Sequence, residues 1–192
     1  MIARYKPYIV FLSFIAVGLG AFFLVSAGYY PILVVNNRIV SARTFWKDYQ
    51  AASRYYQNIV KTYSQAISQE NVLTSTDIQL SVLEQLIENN LVSKEVERQI
   101  GEDLSSLVKT KVDKFSEDKK LHEAVAQLYG FSFGDFQEEI LIPQAEREIL
   151  AGRLFLKGEK LDGWLVQAKK SARVILFSPK FHWNGEKLEN VK

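Results

Sequence analysis

Residues 32–41 read ILVVNNRIVS, and this short stretch decides the fold. Two runs rich in β-branched residues flank Asn36 and Asn37, and asparagine tolerates the positive φ angles of a tight hairpin turn. The stretch therefore predicts a β-hairpin. Because an isolated two-stranded hairpin is marginal in water, it needs a third strand. The best candidate is RVILF at residues 173–177, so the pairing would join the two ends of the domain.

The residues between these strands carry a helical pattern. After Ser41, a candidate N-cap, apolar residues recur every three or four positions as far as Ile67, which predicts one long amphipathic helix. Pro143 is expected to kink or divide a later helix, since proline removes a helical hydrogen bond. The predicted fold class is mainly α, with a small β-sheet formed by the N-terminal hairpin and a C-terminal strand. The further helices are predicted near residues 78–91, 104–115, 116–128, 133–156 and 164–170.

The N-terminal segment has the pattern of a membrane anchor. Residues 8–25 contain no charged side chain, and as a helix they would extend about 27 Å, close to the thickness of the bilayer core. A cleaved signal peptide is the alternative, because residues 25–27 (VSA) resemble a cleavage site, and a buried core helix is a third interpretation. The basic pair before the span, Arg4 and Lys6, favours a cytoplasmic N-terminus. Together with the tyrosines at the two ends of the span, Tyr8, Tyr29 and Tyr30, they are the expected membrane-interface residues.

Composition excludes several classes of site. The chain has no cysteine and two histidines, so thiolate chemistry, cysteine-bound metal and lipid attachment to cysteine are excluded, and histidine-based sites have little material. The net charge of +2 comes from Arg4 and Lys6, and the remaining chain is neutral, which argues against nucleic-acid binding. No motif for a metal, nucleotide or other cofactor is present. Adjacent carboxylates such as Glu138 and Glu139 are expected on a solvated helix face.

Four stretches together resemble one family. They are VVNNRIVS at 34–41 with Phe45, LEQLIENNL at 83–91, YGFSFGDF at 129–136 with Ile140, and WLVQAKKSARV at 164–174. In this order they are similar to the N-terminal chaperone domain of the SurA-type, PpiD-type and PrsA-type foldases. Enzymatic members carry a parvulin prolyl-isomerase domain before the closing helix, where this chain has only about ten residues. The resemblance therefore implies a bacterial extracytoplasmic chaperone module without isomerase activity.

Aromatic residues are the candidate polypeptide-binding side chains. Too many of them crowd together for all to face one narrow core stripe, so either they pack in the core or some line an exposed crevice that holds unfolded chains. Such binding would depend on burial of apolar surface and show little sequence preference. The candidates are Tyr55, Tyr56, Phe131, Phe133 and Phe136.

These patterns predict a membrane-anchored, non-catalytic chaperone that binds unfolded or nascent exported polypeptides. The expected divisions are a cytoplasmic N-terminus (1–7), a transmembrane signal anchor (8–27), a SurA N-like domain (28–178) and a C-terminal tail (179–192). The expected location is the plasma (inner) membrane, with the domain in the periplasm or outside the cell, so the lipid bilayer is an expected partner. The alternatives are a structural or sensory module bound to a partner in a membrane complex, and a divergent isomerase relative without a catalytic domain.

Overall fold

The computed structural model describes residues 6–63 and 73–191. This part of the chain is mainly helical with small sheets, which confirms that part of the predicted fold class. The continuation of the first amphipathic helix to Ile67 lies outside the described residues. In chain order the elements are α1 (Lys6–Ser26), β1 (Pro31–Val35), β2 (Arg38–Ser41), α2 (Ala42–Thr62), α3 (Ser75–Ile100), α4 (Leu104–Val112), α5 (Lys119–Leu128), α6 (Phe133–Phe136), a π-helical turn (Gln137–Leu141), α7 (Ile142–Leu156), α8 (Leu161–Ser171), β3 (Val174–Leu176), β4 (Phe181–Trp183) and β5 (Leu188–Asn190), with 3-10 turns at Gly101–Asp103 and Asp113–Phe115.

The main sheet joins the two ends of the domain as predicted. Its strand order is β2-β1-β3 with antiparallel pairing, and Val34 lies opposite Ile39 on one side and Ile175 on the other. Asn36 and Asn37 adopt the expected positive φ angles of 47° and 73°. Asn36 also ties the turn to β3, because its side-chain oxygen accepts a hydrogen bond from the Arg173 backbone N–H at 2.9 Å.

Side-chain caps set where the first two helices after the hairpin begin. At the start of α2, the Ser41 hydroxyl accepts a hydrogen bond from the Thr44 backbone N–H at 3.1 Å, as the sequence predicts. At the start of α3, Thr74 and Asp77 cap each other reciprocally. These contacts satisfy N–H groups that a first helical turn leaves without partners. They allow α2 to follow β2 directly and α3 to start sharply.

A π-helical turn divides the predicted helix just before Pro143, where the sequence predicts a kink or a division. The turn Gln137–Leu141 separates α6 from α7, and Pro143 is the second residue of α7. Proline has no N–H to donate to the carbonyl four residues earlier, at Glu139, so the regular hydrogen-bond ladder is interrupted there. Such π-turns are frequent at functional sites. This turn directs Glu139 and Ile140 toward α2 and α3.

A second hairpin occupies the region expected to be a tail. Strands β4 and β5 pair antiparallel, with Phe181 opposite Asn190 and Trp183 opposite Leu188. Phe181 and Leu188 are each only 5% exposed and belong to the core formed with α3. The Leu188 backbone N–H donates to the Glu84 carboxylate at 3.0 Å. The packed structure therefore continues through residue 190.

Helix α3 runs through the centre of the domain. Its first half contributes Leu83 and Ile87 to a core shared with the sheets, and its second half contributes Val96 to a core shared with α4, α7 and α8. Leu150 of α7 is fully buried in the second core. A third, smaller cluster joins α2 to α5, α6 and the loop between them. Candidate sites therefore lie where these three clusters meet the surface.

Helix α1 precedes the domain and exposes its apolar side chains. Those from Phe11 to Val25 are exposed, whereas the short connection to β1 is held to the start of α2. The Arg43 backbone N–H donates to the Gly28 carbonyl at 2.8 Å, and the Arg43 guanidinium donates to the Tyr29 hydroxyl at 2.6 Å. Within residues 6–63 and 73–191, no helix was found to be long and apolar enough to cross a membrane. The predicted span at residues 8–27 is thus not confirmed.

Candidate functional site

The five aromatic candidates separate into different environments. Phe131 and Phe136 are 6% and 8% exposed and belong to the third core cluster, and Phe131 also lines a cavity. Tyr56 packs against the first core, and its hydroxyl accepts a hydrogen bond from the Leu73 backbone N–H at 2.7 Å. Phe133 is half-buried and stacks on His122. Tyr55 alone of the five is exposed.

Tyr55 forms the rim of a small cavity, here called the aromatic pocket. Its ring stacks on that of Tyr129, with 4.9 Å between ring centres and 2° between ring planes. The cavity has a volume of about 180 Å³ and opens beside Tyr55 and the exposed Gln85. Sequence reasoning did not include Tyr129 among the candidates, although it lies in a stretch that carried the family resemblance. The remaining lining is Asp48, Ala51, Ala52, Val82, Phe131, Glu139 and Ile140.

Carboxyl groups gather at one end of this pocket. Lys47 of α2 lies 2.8 Å from Asp135 and 2.6 Å from Glu139, and Glu138 approaches it at 3.7 Å. The buried Oδ1 atom of Asp48 has no hydrogen-bond partner. Burial, together with the charge of Glu139, raises the pKa of Asp48 to about 7. The hydrogen bond from Lys47 lowers the pKa of Asp135, so the two aspartates differ in the direction of their shifts.

Sequence analysis missed two further depressions on the π-helical turn and α7. The first, the apolar groove, has a volume of about 560 Å³ and lies beside α4, whose Leu104, Val108 and Val112 form its floor. The second, the polar crevice, has a volume of about 280 Å³. The spacing of the three α4 residues predicts an apolar helix face, but not an incompletely covered one. The polar side chains that line the crevice include Thr44, Asn89, Asn90, Ser93 and Glu146.

The three depressions adjoin one another. Ile142 and Glu146 line both the apolar groove and the polar crevice, and Asp48 and Glu139 line both the polar crevice and the aromatic pocket. The Ser93 hydroxyl donates to the Glu146 carboxylate at 3.3 Å, and burial raises the pKa of Glu146. The surface therefore changes along its length from apolar, through polar, to aromatic, and Asp48 and Glu139 lie where the polar crevice meets the aromatic pocket.

Three of the expected membrane-interface residues, the tyrosines, line none of these depressions. Tyr8, Tyr29 and Tyr30 are exposed, Lys6 is the first residue of α1, and Arg4 lies outside the described residues. No group of three or more His, Asp or Glu side chains within the described residues is arranged to hold a metal ion.

Comparison with known proteins identifies the family. The model of the SurA-like N-terminal domain matches residues 7–140, well over half of the chain, and no parvulin catalytic domain is detected. A search of curated proteins and a search of solved structures each gave no match. The matched range includes the hairpin, α3 and both tyrosines of the aromatic pocket, and it ends before α7, α8 and the C-terminal strands. The chain belongs to the family of SurA-like N-terminal domains.

Proposed function

We propose that this protein is a chaperone that reversibly binds non-native exported polypeptides without catalysing a reaction on them. SurA-like domains in general bind unfolded polypeptides. The observation that carries the proposal is the series of three adjoining depressions, which offers one extended surface of mixed character. A segment without stable structure presents apolar side chains and unpaired backbone groups together, and this surface has partners for both.

Each depression contributes a different interaction. Apolar side chains of the client enter the groove beside α4, and burial of their surface contributes about 25 cal/mol per Å² with little dependence on sequence. The amides of Asn89 and Asn90 supply donors and acceptors for client backbone groups in the polar crevice. Weak, unspecific binding of this kind suits clients of many sequences.

We also propose that α1 holds the domain at the plasma (inner) membrane, with the N-terminus in the cytoplasm and the domain in the periplasm or outside the cell. Support comes from the uncharged sequence of residues 8–25, from the exposure of the apolar side chains between Phe11 and Val25, and from the tyrosines that follow the helix. The bilayer would remove this apolar surface from water. The contacts of Arg43 with Gly28 and Tyr29 would keep the domain close to the membrane.

The test compares Ile142→Ser with Val166→Ser in the full chain, held in lipid nanodiscs. Ile142 is 36% exposed and lines the apolar groove, whereas Val166 is 48% exposed on α8 and lines none of the three depressions. Both variants should melt close to the wild type. Only Ile142→Ser should slow the aggregation of chemically unfolded model clients less effectively than the wild type, as measured by light scattering.

Two outcomes contradict the proposal. Equal suppression by the two variants would show that clients do not use the groove. A wild-type protein that leaves the aggregation of several unrelated clients unchanged, and that instead co-purifies with one stoichiometric membrane partner, would favour the structural or sensory role.

A further inference from the structure

The aromatic pocket has the size and walls of a site for one side chain. Its volume of about 180 Å³ lies below the roughly 300–1,000 Å³ of pockets that take drug-sized ligands. Val82 and Ala52 line its apolar part, and the stacked rings of Tyr55 and Tyr129 stand at its rim. Aliphatic stems pack well on such surfaces, and aromatic faces attract cations.

The opposite end of the pocket carries more negative than positive charge. Three carboxyl groups, those of Asp135, Glu138 and Glu139, lie around the ammonium group of Lys47, and the carboxyl group of Asp48 lies near enough to interact with its charge. Lys47 contacts Asp135 and Glu139 directly, but the buried Oδ1 of Asp48 is left without a hydrogen-bond donor. A buried acceptor without a partner is costly, and a donor that reaches it restores the lost interaction.

The neighbouring guanidinium of the chain does not fill this role. Arg54 follows Asp48 further along α2, and its Nε donates a hydrogen bond to the Gln127 carbonyl at 3.2 Å. Its side chain packs against Gly130, where a Cβ would come within 2.7 Å of Nη1. Gly130 has a φ of 74°, so the loop that carries Tyr129 turns sharply around the Arg54 side chain. Arg54 is therefore engaged elsewhere and does not donate to the Asp48 Oδ1 atom.

We propose that the aromatic pocket binds a lysine or arginine side chain of the bound polypeptide, with its aliphatic stem between Tyr55 and Val82 and its cationic head at Asp48 and Glu139. This inference rests on the proposed polypeptide binding and adds a preference to it. The apolar groove would then bind clients through apolar residues, while the pocket selects segments in which a basic residue follows at a suitable distance. A neutral polar side chain would fit the same volume but would leave the excess negative charge uncompensated.

The experiment measures binding of two labelled, unstructured peptides to the full chain in nanodiscs of neutral lipid. The peptides are apolar-rich and identical except for one central residue, which is lysine in the first and norleucine in the second. At pH 8, above the pKa of Asp48, fluorescence anisotropy should show the lysine peptide binding about tenfold more tightly, as expected for one charge-assisted contact. Asp48→Asn should abolish most of this preference, so that the two peptides bind it with similar affinity.

Glu138→Gln is the matched control, because Glu138 belongs to the acidic group but does not line the pocket and its side chain is 73% exposed. It should retain most of the preference. If Asp48→Asn folds poorly, NMR of the carboxyl groups of the wild type provides a second measurement. The pKa of Asp48 should fall when the lysine peptide binds and should not change when the norleucine peptide binds. Equal affinity of the wild type for both peptides would overturn the inference but not the proposed function, whereas failure of both peptides to bind would overturn both.

Discussion

Truncation of Phe181 to alanine tests whether the C-terminal hairpin is part of the folded domain. The ring is 5% exposed and packs in the core formed with α3 and the main sheet. Replacing a buried phenylalanine by alanine typically costs about 3–5 kcal/mol, from lost burial and from the cavity that remains. For a domain of this size, each kcal/mol corresponds to about 2–4 °C, so the melting temperature should fall by about 6–20 °C.

The matched control is His182→Ala, the next residue of the same strand, whose side chain is 52% exposed. It should change the free energy of unfolding by less than about 0.5 kcal/mol. Urea denaturation followed by tryptophan fluorescence measures both variants, because Trp164 and Trp183 pack against the same core. Equal unfolding midpoints for the two variants would refute the assignment of β4 and β5 to the core.

Two further predictions concern the acidic end of the pocket and the N-terminal helix. The pKa of Asp48 rises from 3.8 in the unfolded chain to about 7 in the folded state. The contribution of this carboxyl group to the free energy of unfolding should therefore be fully present below pH 3.8 and be lost as the pH rises through 7. The loss is at most about 1.4 kcal/mol per pH unit. At pH 8, Asp48→Asn should therefore unfold at a higher urea concentration than the wild type, and at pH 3.5 the two proteins should unfold at similar concentrations. An Asp48→Asn variant that is less stable than the wild type at pH 8 would contradict this prediction. Full-length protein should stay in the membrane pellet after carbonate extraction, whereas soluble protein with a mature N-terminus at Gly28 would indicate a cleaved signal peptide.

The local elements of this chain could be predicted because their signals lie within a few residues. The asparagine pair determines the first hairpin turn, and Ser41 caps α2, through contacts that span at most three positions. The pairing of β1 with β3 is long-range but was still predictable, since a hairpin needs further support and residues 173–177 offered the best strand pattern. Helical periodicity likewise indicated which residues of α3 face inward.

Tertiary structure alone decided how these faces are covered. Periodicity shows that a face is apolar, but not whether another element covers it: Phe131 and Phe136 are buried, while the face of α4 borders an open groove. Strands β4 and β5 have three residues each, too few for alternation to show, and their contacts with β3 and α3 hold them in the core. The pKa of Asp48 is raised first by burial and then by the charge of Glu139, which lies far along the chain and is brought beside it by the turn before Pro143. Burial and electrostatics depend on distances through space, and these arise only when distant segments pack together.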